Sequence, residues 1–187
     1  MGRLVAEPSA RIVPPALPRS VLKKPSKRPS LKKLLRKAQA KPLKQVAALP
    51  FRISPEGRLE VLLITSRDTG RWVIPKGWPM VGRKARQAAE REAFEEAGLK
   101  GEIGANPIGK YHYEKRLDDG VAVPCEVRVF ALRVDGQHER WPEQSQRAQH
   151  WFAPVEAARL VQEDELARLI EGLAADTVTG HCSPDQT

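Results

Sequence analysis

The sequence predicts a mixed α/β (α+β) domain behind a disordered basic tail, on three observations. Apolar runs of strand length alternate with segments of helical period between residues 45 and 175. Charge is segregated: residues 1–44 hold 13 Lys and Arg against one acid, Glu7, for a net +12, while the remainder carries −3. That tail has no aromatic residue and is rich in Pro, Lys, Arg and Ser. It cannot bury enough apolar surface to offset the entropy of ordering it.

Taken in order, the tail spans 1–44. Within it Leu31, Leu34, Leu35 and Ala38 recur at helical spacing behind Ser30, with Lys32, Lys33, Arg36 and Lys37 opposite. A short amphipathic helix over 30–40 would present that basic face to nucleic acid, acidic lipid or another polyanion, and a fraying solvated segment is the plainer alternative. An Arg-rich, acid-poor start also suits an organellar transit peptide in a eukaryote. The body begins near Gln45. Val46–Ile53 reads as a strand, and Leu59–Ser66 as a second strand buried on both faces, through Val61, Leu62, Leu63 and Ile64. Arg71–Pro75 is a short strand. A Gly/Pro loop, Lys76–Gly82, leads into a helix over Lys84–Ala97, with Gly98 where a C-terminal cap belongs. A strand region covers Gly104–Arg116. Val121–Val134 alternates with period two, and Pro124 marks an edge or bulge. Gln149–Phe152 is a last strand. Helices over Pro154–Val161 and Glu163–Leu173 close the domain, and 176–187 reads as a flexible end.

Composition excludes several classes. No run approaches the roughly 18 apolar residues of a membrane helix, and the N-terminus lacks the apolar stretch of a secretory signal. Cys125 and Cys182 have no metal-ligand spacing, nor do His112, His138, His150 and His181. Two unpaired thiols suit a reducing, cytoplasmic setting.

The chemistry concentrates on the predicted helix. Glu92, Glu95 and Glu96 stand at i, i+3 and i+4, within a 100° arc. Ala89, Ala93 and Ala97 form an adjacent stripe small enough to pack closely on a sheet. Three crowded carboxylates repel one another. Two arrangements accommodate that: an ordinary solvated acidic face, or a bound divalent cation that removes the penalty. Hard Mg²⁺ prefers such oxygens and shares them with phosphates.

From Gly77 to Leu99 the chain resembles the Nudix box, G-x5-E-x7-R-E-U-x-E-E-x-G-U with U aliphatic. Gly77, Arg91, Glu92, Glu95, Glu96, Gly98 and Leu99 match across its 23 positions, and Ala93 is a small residue at U. The resemblance implies an α/β/α sandwich with a mixed sheet, and a hydrolase of phosphoanhydride bonds working with Mg²⁺, or Mn²⁺ in its place. It implies that Glu92 and Glu96 ligate the metal with the Gly77 carbonyl. Glu95 would ligate a second metal or orient the attacking water, and Arg91 would anchor the glutamates. One position departs: Arg83 stands where the first box Glu belongs. That puts the loop geometry and the number of metals in question.

Further stretches resemble the diphosphoinositol-polyphosphate phosphohydrolase branch. They are Ala47–Arg52, Val61–Arg67, Arg71–Gly77, Trp141–Glu143, Arg147 and Trp151–Phe152. The branch implies a small polyphosphorylated substrate: a diphosphoinositol polyphosphate, a dinucleoside polyphosphate or polyphosphate. The matching cationic and hydroxyl positions are Arg52, Thr65, Ser66 and Arg67, with Lys76 at the loop; Lys115, Arg116, Arg128 and Arg147 are weaker candidates, and a solvated surface charge is the plain alternative for each arginine. Glu126 and Glu143 are alternatives to Glu95 as the proton acceptor. Trp78 sits in the Gly loop, where it would cover substrate, while Trp72 and Trp151 read as packing. Two other functions fit the same residues: a catalytically weakened polyanion- or nucleic-acid-binding module using the tail, and a nucleotide-sanitising or sugar-nucleotide pyrophosphatase.

Overall fold

Leu43–Ile53 forms β1, the strand around which the other elements are arranged in a computed structural model that describes residues 41–116 and 120–178. From Gln45 to Phe51 every residue of β1 is buried, so both its faces are covered. The tail 1–40, with the helix expected over 30–40, lies outside the described residues, as do 179–187 with Cys182 and His181.

The strands that follow are β2 (Leu59–Thr65), β3 (Trp72–Val73), β4 (Lys76–Gly77), β5 (Leu99–Ile103), β6 (Gly109–Arg116), β7 (Ala122–Gln137) and β8 (Gln149–Phe152). They form one sheet with the path β3-β2-β1-β7-β5, while β4 pairs with β1, β6 with β7 and β8 with β2. The β1–β7 pair is parallel and the others are antiparallel, so the sheet is mixed. Three helices complete the domain: α1 (Ala85–Ala97), α2 (Pro154–Leu160) and α3 (Asp164–Val178).

The period-two pattern of the strands explains the layers. Ala47, Leu49, Val61, Leu63, Val127 and Val129 face Ala157, Leu166 and Ile170 of α2 and α3. The alternate residues, Ala48, Leu62, Ile64 and Leu132, face Ala93 and Ala97 of α1. Val46 and Phe130 meet Ala88 and Ala89 on that same side. Helices thus cover both faces, giving the α/β/α sandwich. The alanine stripe is fully buried, which lets α1 lie close to the sheet.

Several boundaries differ from the sequence reading. β1 starts at Leu43, ahead of Gln45, because Leu43 and Lys44 pair with Cys125 and Glu126 of β7. Lys76–Gly77, expected in a loop, forms the two-residue strand β4 against Val46 and Ala47. β5 was not expected. Its Gly101 sits at a bulge where a β-carbon would stand 2.0 Å from the Arg133 carbonyl oxygen. α3 runs to Val178, past Leu173. Pro124 lies where β7 pairs only with β6, since the β1 ladder stops at Leu43–Cys125, and a missing N–H costs nothing there.

Candidate active site at the β4–α1 junction

The antiparallel pairing of β4 with β1 fixes Lys76 and Gly77 beside the C-terminal half of α1. A β-carbon on Gly77 would lie 2.1 Å from Glu92 Oε1, so the carboxylate of Glu92 rests directly on the glycine backbone. One turn later, Glu96 accepts the Lys76 backbone N–H through Oε2 at 3.0 Å. Its Oε1 accepts the Arg147 guanidinium. Glu96 is 7% exposed. The helix then ends at Gly98, in the left-handed region at φ 69°, under the ring of Trp141.

The segment from 138 to 148 docks on this end of the helix. The Glu143 N–H donates to the Glu95 carbonyl at 3.0 Å. Glu143 Oε2 accepts Arg147 Nε at 2.7 Å, and its Oε1 lies 3.2 Å from Arg67 Nη1. Arg147 Nη1 also donates to the Thr65 carbonyl at 3.0 Å. Glu95 is turned outward, where it accepts Arg91 Nε at 2.6 Å. Among the described residues no three acidic, His or Cys side chains already converge as a metal cage. Glu92 and Glu96 are brought together beside β4, and Glu95 is not.

Electrostatics shows the strain of this grouping. Burial, followed by repulsion from Glu96, Glu95 and Glu143, pushes the Glu92 carboxyl up to about 7. Burial also raises Glu96, against the opposing pull of Arg147. Desolvation lowers the Lys76 ammonium, which lies 5.6 Å over the Tyr113 ring. The carboxylate oxygens of Glu92 and Glu96 are hard donors of the kind a divalent cation takes. By this chemistry Glu92, Glu96 and the Gly77 carbonyl fit Mg²⁺ or Mn²⁺, and Glu95 joins them if it leaves Arg91.

The other candidates divide. Lys76, Arg67 and Arg147 stand at the junction. Ser66 is a turn residue: its hydroxyl bonds Thr69 Oγ1 at 2.6 Å and accepts the Thr69 N–H. Thr65 Oγ1 accepts the Ala148 N–H. Arg52 is not brought to the carboxylates. It lies five residues along β1 from Ala47, or about 17 Å, paired with Glu60 at 2.8 Å and stacked 4.1 Å over Trp151. Glu126 is a poor proton acceptor, because Lys44 at 2.6 Å, helped by Lys110 at 3.1 Å, holds its carboxyl down to about 2. Lys115 stacks 4.8 Å over Trp78 at the loop. Two open hollows flank α1 away from the carboxylates. One adjoins Arg83, Arg91 and Phe94, and the other adjoins Lys84, Arg86 and Arg128.

Sequence reasoning missed the clamp on Glu96. Glu143 and Arg147 were candidates singly, and their i, i+4 spacing, which pairs opposite charges when the chain coils, was the signal that joins them. The Thr65 carbonyl and Lys76 N–H are backbone groups and leave no mark in a sequence.

A family model described as NUDIX domain matches residues 43–173. Nudix hydrolase 12, mitochondrial, of Arabidopsis thaliana is 33% identical over 117 residues, covering 61% of this chain and 58% of that protein. Diphosphoinositol polyphosphate phosphohydrolase 3-beta of Bos taurus is 34% identical over 122 residues, covering 64% of this chain and 69% of that protein. The match thus spans under two thirds of the plant relative's length. The fold is shared with a C. elegans Ap4A hydrolase, at TM-score 0.55 and 20% identity, over 73% of this chain and 98% of that one.

Proposed function

The chain belongs to the Nudix family, and from that membership we propose that it is a Mg²⁺-dependent hydrolase of phosphoanhydride bonds in small polyphosphorylated molecules. Diphosphoinositol polyphosphates, dinucleoside polyphosphates and polyphosphate are the substrate classes. Their support is the name of the bovine relative, the resemblance of Ala47–Arg52 and Val61–Arg67, and the cations near the site. The observation that carries the reading is Glu92 lying on Gly77 with Glu96 one turn away on the Lys76 N–H.

A divalent cation bound there, Mg²⁺ or Mn²⁺, would neutralise phosphate charge and acidify a water. Glu92, Glu96 and the Gly77 carbonyl would hold it. The remaining steps fall to the chain's own groups. Lys76 and Arg67 take phosphate oxygens by charge-assisted bonds. Glu95, half-buried and held by one arginine, takes the proton from water. Glu143 is less suited, since both its oxygens are engaged by arginines. Arg91 holds Glu95 outward in the meantime, so Glu95 leaves that arginine to reach the water.

The test is phosphate release from each substrate class with and without Mg²⁺. Replacing Glu96 with Gln is expected to cost at least about 100-fold in rate, since a ligand and its charge are lost. Unchanged turnover in that variant removes the assignment.

A second reading is a binding module with impaired chemistry. Arg83 in place of the box Glu favours it, as does the +12 tail, which would hold nucleic acid or another polyanion. The plant relatives carry mitochondrial and chloroplastic in their names, so an organellar residence directed by the tail stands beside the cytoplasmic one.

A further inference from the structure

Arg147 precedes β8, and its side chain is 6% exposed. Its guanidinium is satisfied on three sides: Glu143 accepts Nε at 2.7 Å, the Thr65 carbonyl accepts Nη1 at 3.0 Å, and Glu96 Oε1 accepts Nη2. Glu96 gives its other oxygen to the Lys76 N–H. A row of alternating charge therefore runs inward from exposed Arg67 through Glu143 and Arg147 to buried Glu96. Such burial is tolerated only while each charge keeps its partner. A cation that takes Glu96 Oε1 competes with the Arg147 guanidinium for the charge of that oxygen. Glu143 and Thr65 still hold the guanidinium when that happens.

We propose that Arg147 is a tethered counter-cation that competes with the divalent cation for Glu96 and thereby sets how tightly that cation binds. The inference rests on Glu96 being a ligand, as argued above. Arg147 is then a positioning residue. It keeps Glu96 compensated until a cation arrives, and afterwards its positive charge stays beside the site, one side chain from where phosphate oxygens would lie. Glu143 is the tether, since it grips Arg147 and Arg67 with separate oxygens.

The experiment is Mn²⁺ titration of the full chain without substrate, read by the electron paramagnetic resonance of free Mn²⁺, with thermal melts alongside. Arg147→Gln is expected to tighten Mn²⁺ binding by about tenfold, the size of a typical coupling between competing ligands. Arg147→Lys keeps the charge and loses the planar fork. It is expected to tighten binding by roughly threefold, whereas a through-space effect of charge alone would leave it unchanged. Arg67→Gln, one step outward and exposed, stays within about twofold.

A folded Arg147→Gln variant that binds Mn²⁺ no more tightly overturns the proposal. So does an Arg147→Lys variant indistinguishable from the unaltered chain. If Arg147→Gln gives no cooperative melt, Arg147→Lys decides alone. Loss of binding in Glu96→Gln with no gain in either Arg147 variant sinks the competition and leaves the metal reading standing. Equal binding in Glu96→Gln sinks both.

Discussion

A β-carbon at Gly77 would stand 2.1 Å from Oε1 and 2.4 Å from Oε2 of Glu92, both at the far end of a flexible side chain. The backbone there has no positive φ, so alanine is conformationally acceptable. Gly77→Ala should therefore change stability by no more than about 1 kcal/mol. It should nevertheless cut turnover at least about tenfold, because the carboxylate is pushed off its seat. A melt and a rate measurement on one preparation check both halves. Glu92 offers a second test at the same scale. Its folded carboxyl is raised to about 7 from the ordinary 4.5, so the unfolded chain loses its proton first. Stability is then expected to fall as pH rises from 4.5 through 7, the ionised form being disfavoured in the folded state. Glu92→Gln should remove that loss and stabilise the chain at pH 8 by on the order of 1 kcal/mol, after allowing for solvent screening. Urea unfolding at pH 5 and pH 8 gives the comparison, and added Mg²⁺ should favour only the unaltered chain at the higher pH.

Helix α1 was legible because three independent patterns coincide on it. Ala89, Ala93 and Ala97 mark its buried stripe, the carboxylates mark a second face, and Gly98 marks its end. Gly98 has two reasons to be glycine. Its φ of 69° disfavours any other residue, and a β-carbon there would meet the rigid Trp141 ring at 2.4 Å. Gly98→Ala is expected to cost about 2 kcal/mol or more, since strain and overlap add and the ring cannot bend away. Chemical denaturation measures it; a loss under about 0.5 kcal/mol contradicts the account of the cap. Other elements left weaker marks. β4 has two residues and no pattern of its own, and it exists because β1 offers unpaired backbone at Val46 and Ala47. β5 alternates correctly, from buried Leu99 through exposed Lys100 and Glu102, but its glycine and its place directly after the cap hid it. The partners of Glu126 are hidden for a related reason: Lys44 and Lys110 come from neighbouring strands, and only the register reveals them.

Across the whole molecule, the sandwich was legible from the resemblance and from burial patterns such as Val61–Ile64, which the structure fills from both faces. The approach of Glu92 and Glu96 to β4 was legible too, whereas Glu95 turns outward to Arg91. What could not be read is the docking of the 138–148 segment, whose Arg147, held by Glu143, meets Glu96 across 51 residues of sequence. Charge is also organised at this scale, with the basic excess placed in residues 1–44 and a slightly acidic remainder. Removing residues 1–40, which spares β1, should leave turnover of small substrates within about twofold if the body alone is catalytic, and should abolish salt-sensitive binding of long polyanions if the tail supplies it. Polyanion binding lost on removal, with no small-substrate turnover before or after it, would instead favour the binding-module reading.

On the proposed reading, Glu92 and Glu96 hold a cation that a polyanion then shares. Phosphorus NMR of a non-hydrolysed triphosphate analogue, titrated with Mn²⁺ in the presence of the chain, tests it most directly. The account predicts strong paramagnetic broadening of the phosphorus signals beyond that of Mn²⁺ and analogue alone, and its loss in Glu92→Gln and Glu96→Gln. Broadening that persists undiminished in both variants would contradict it.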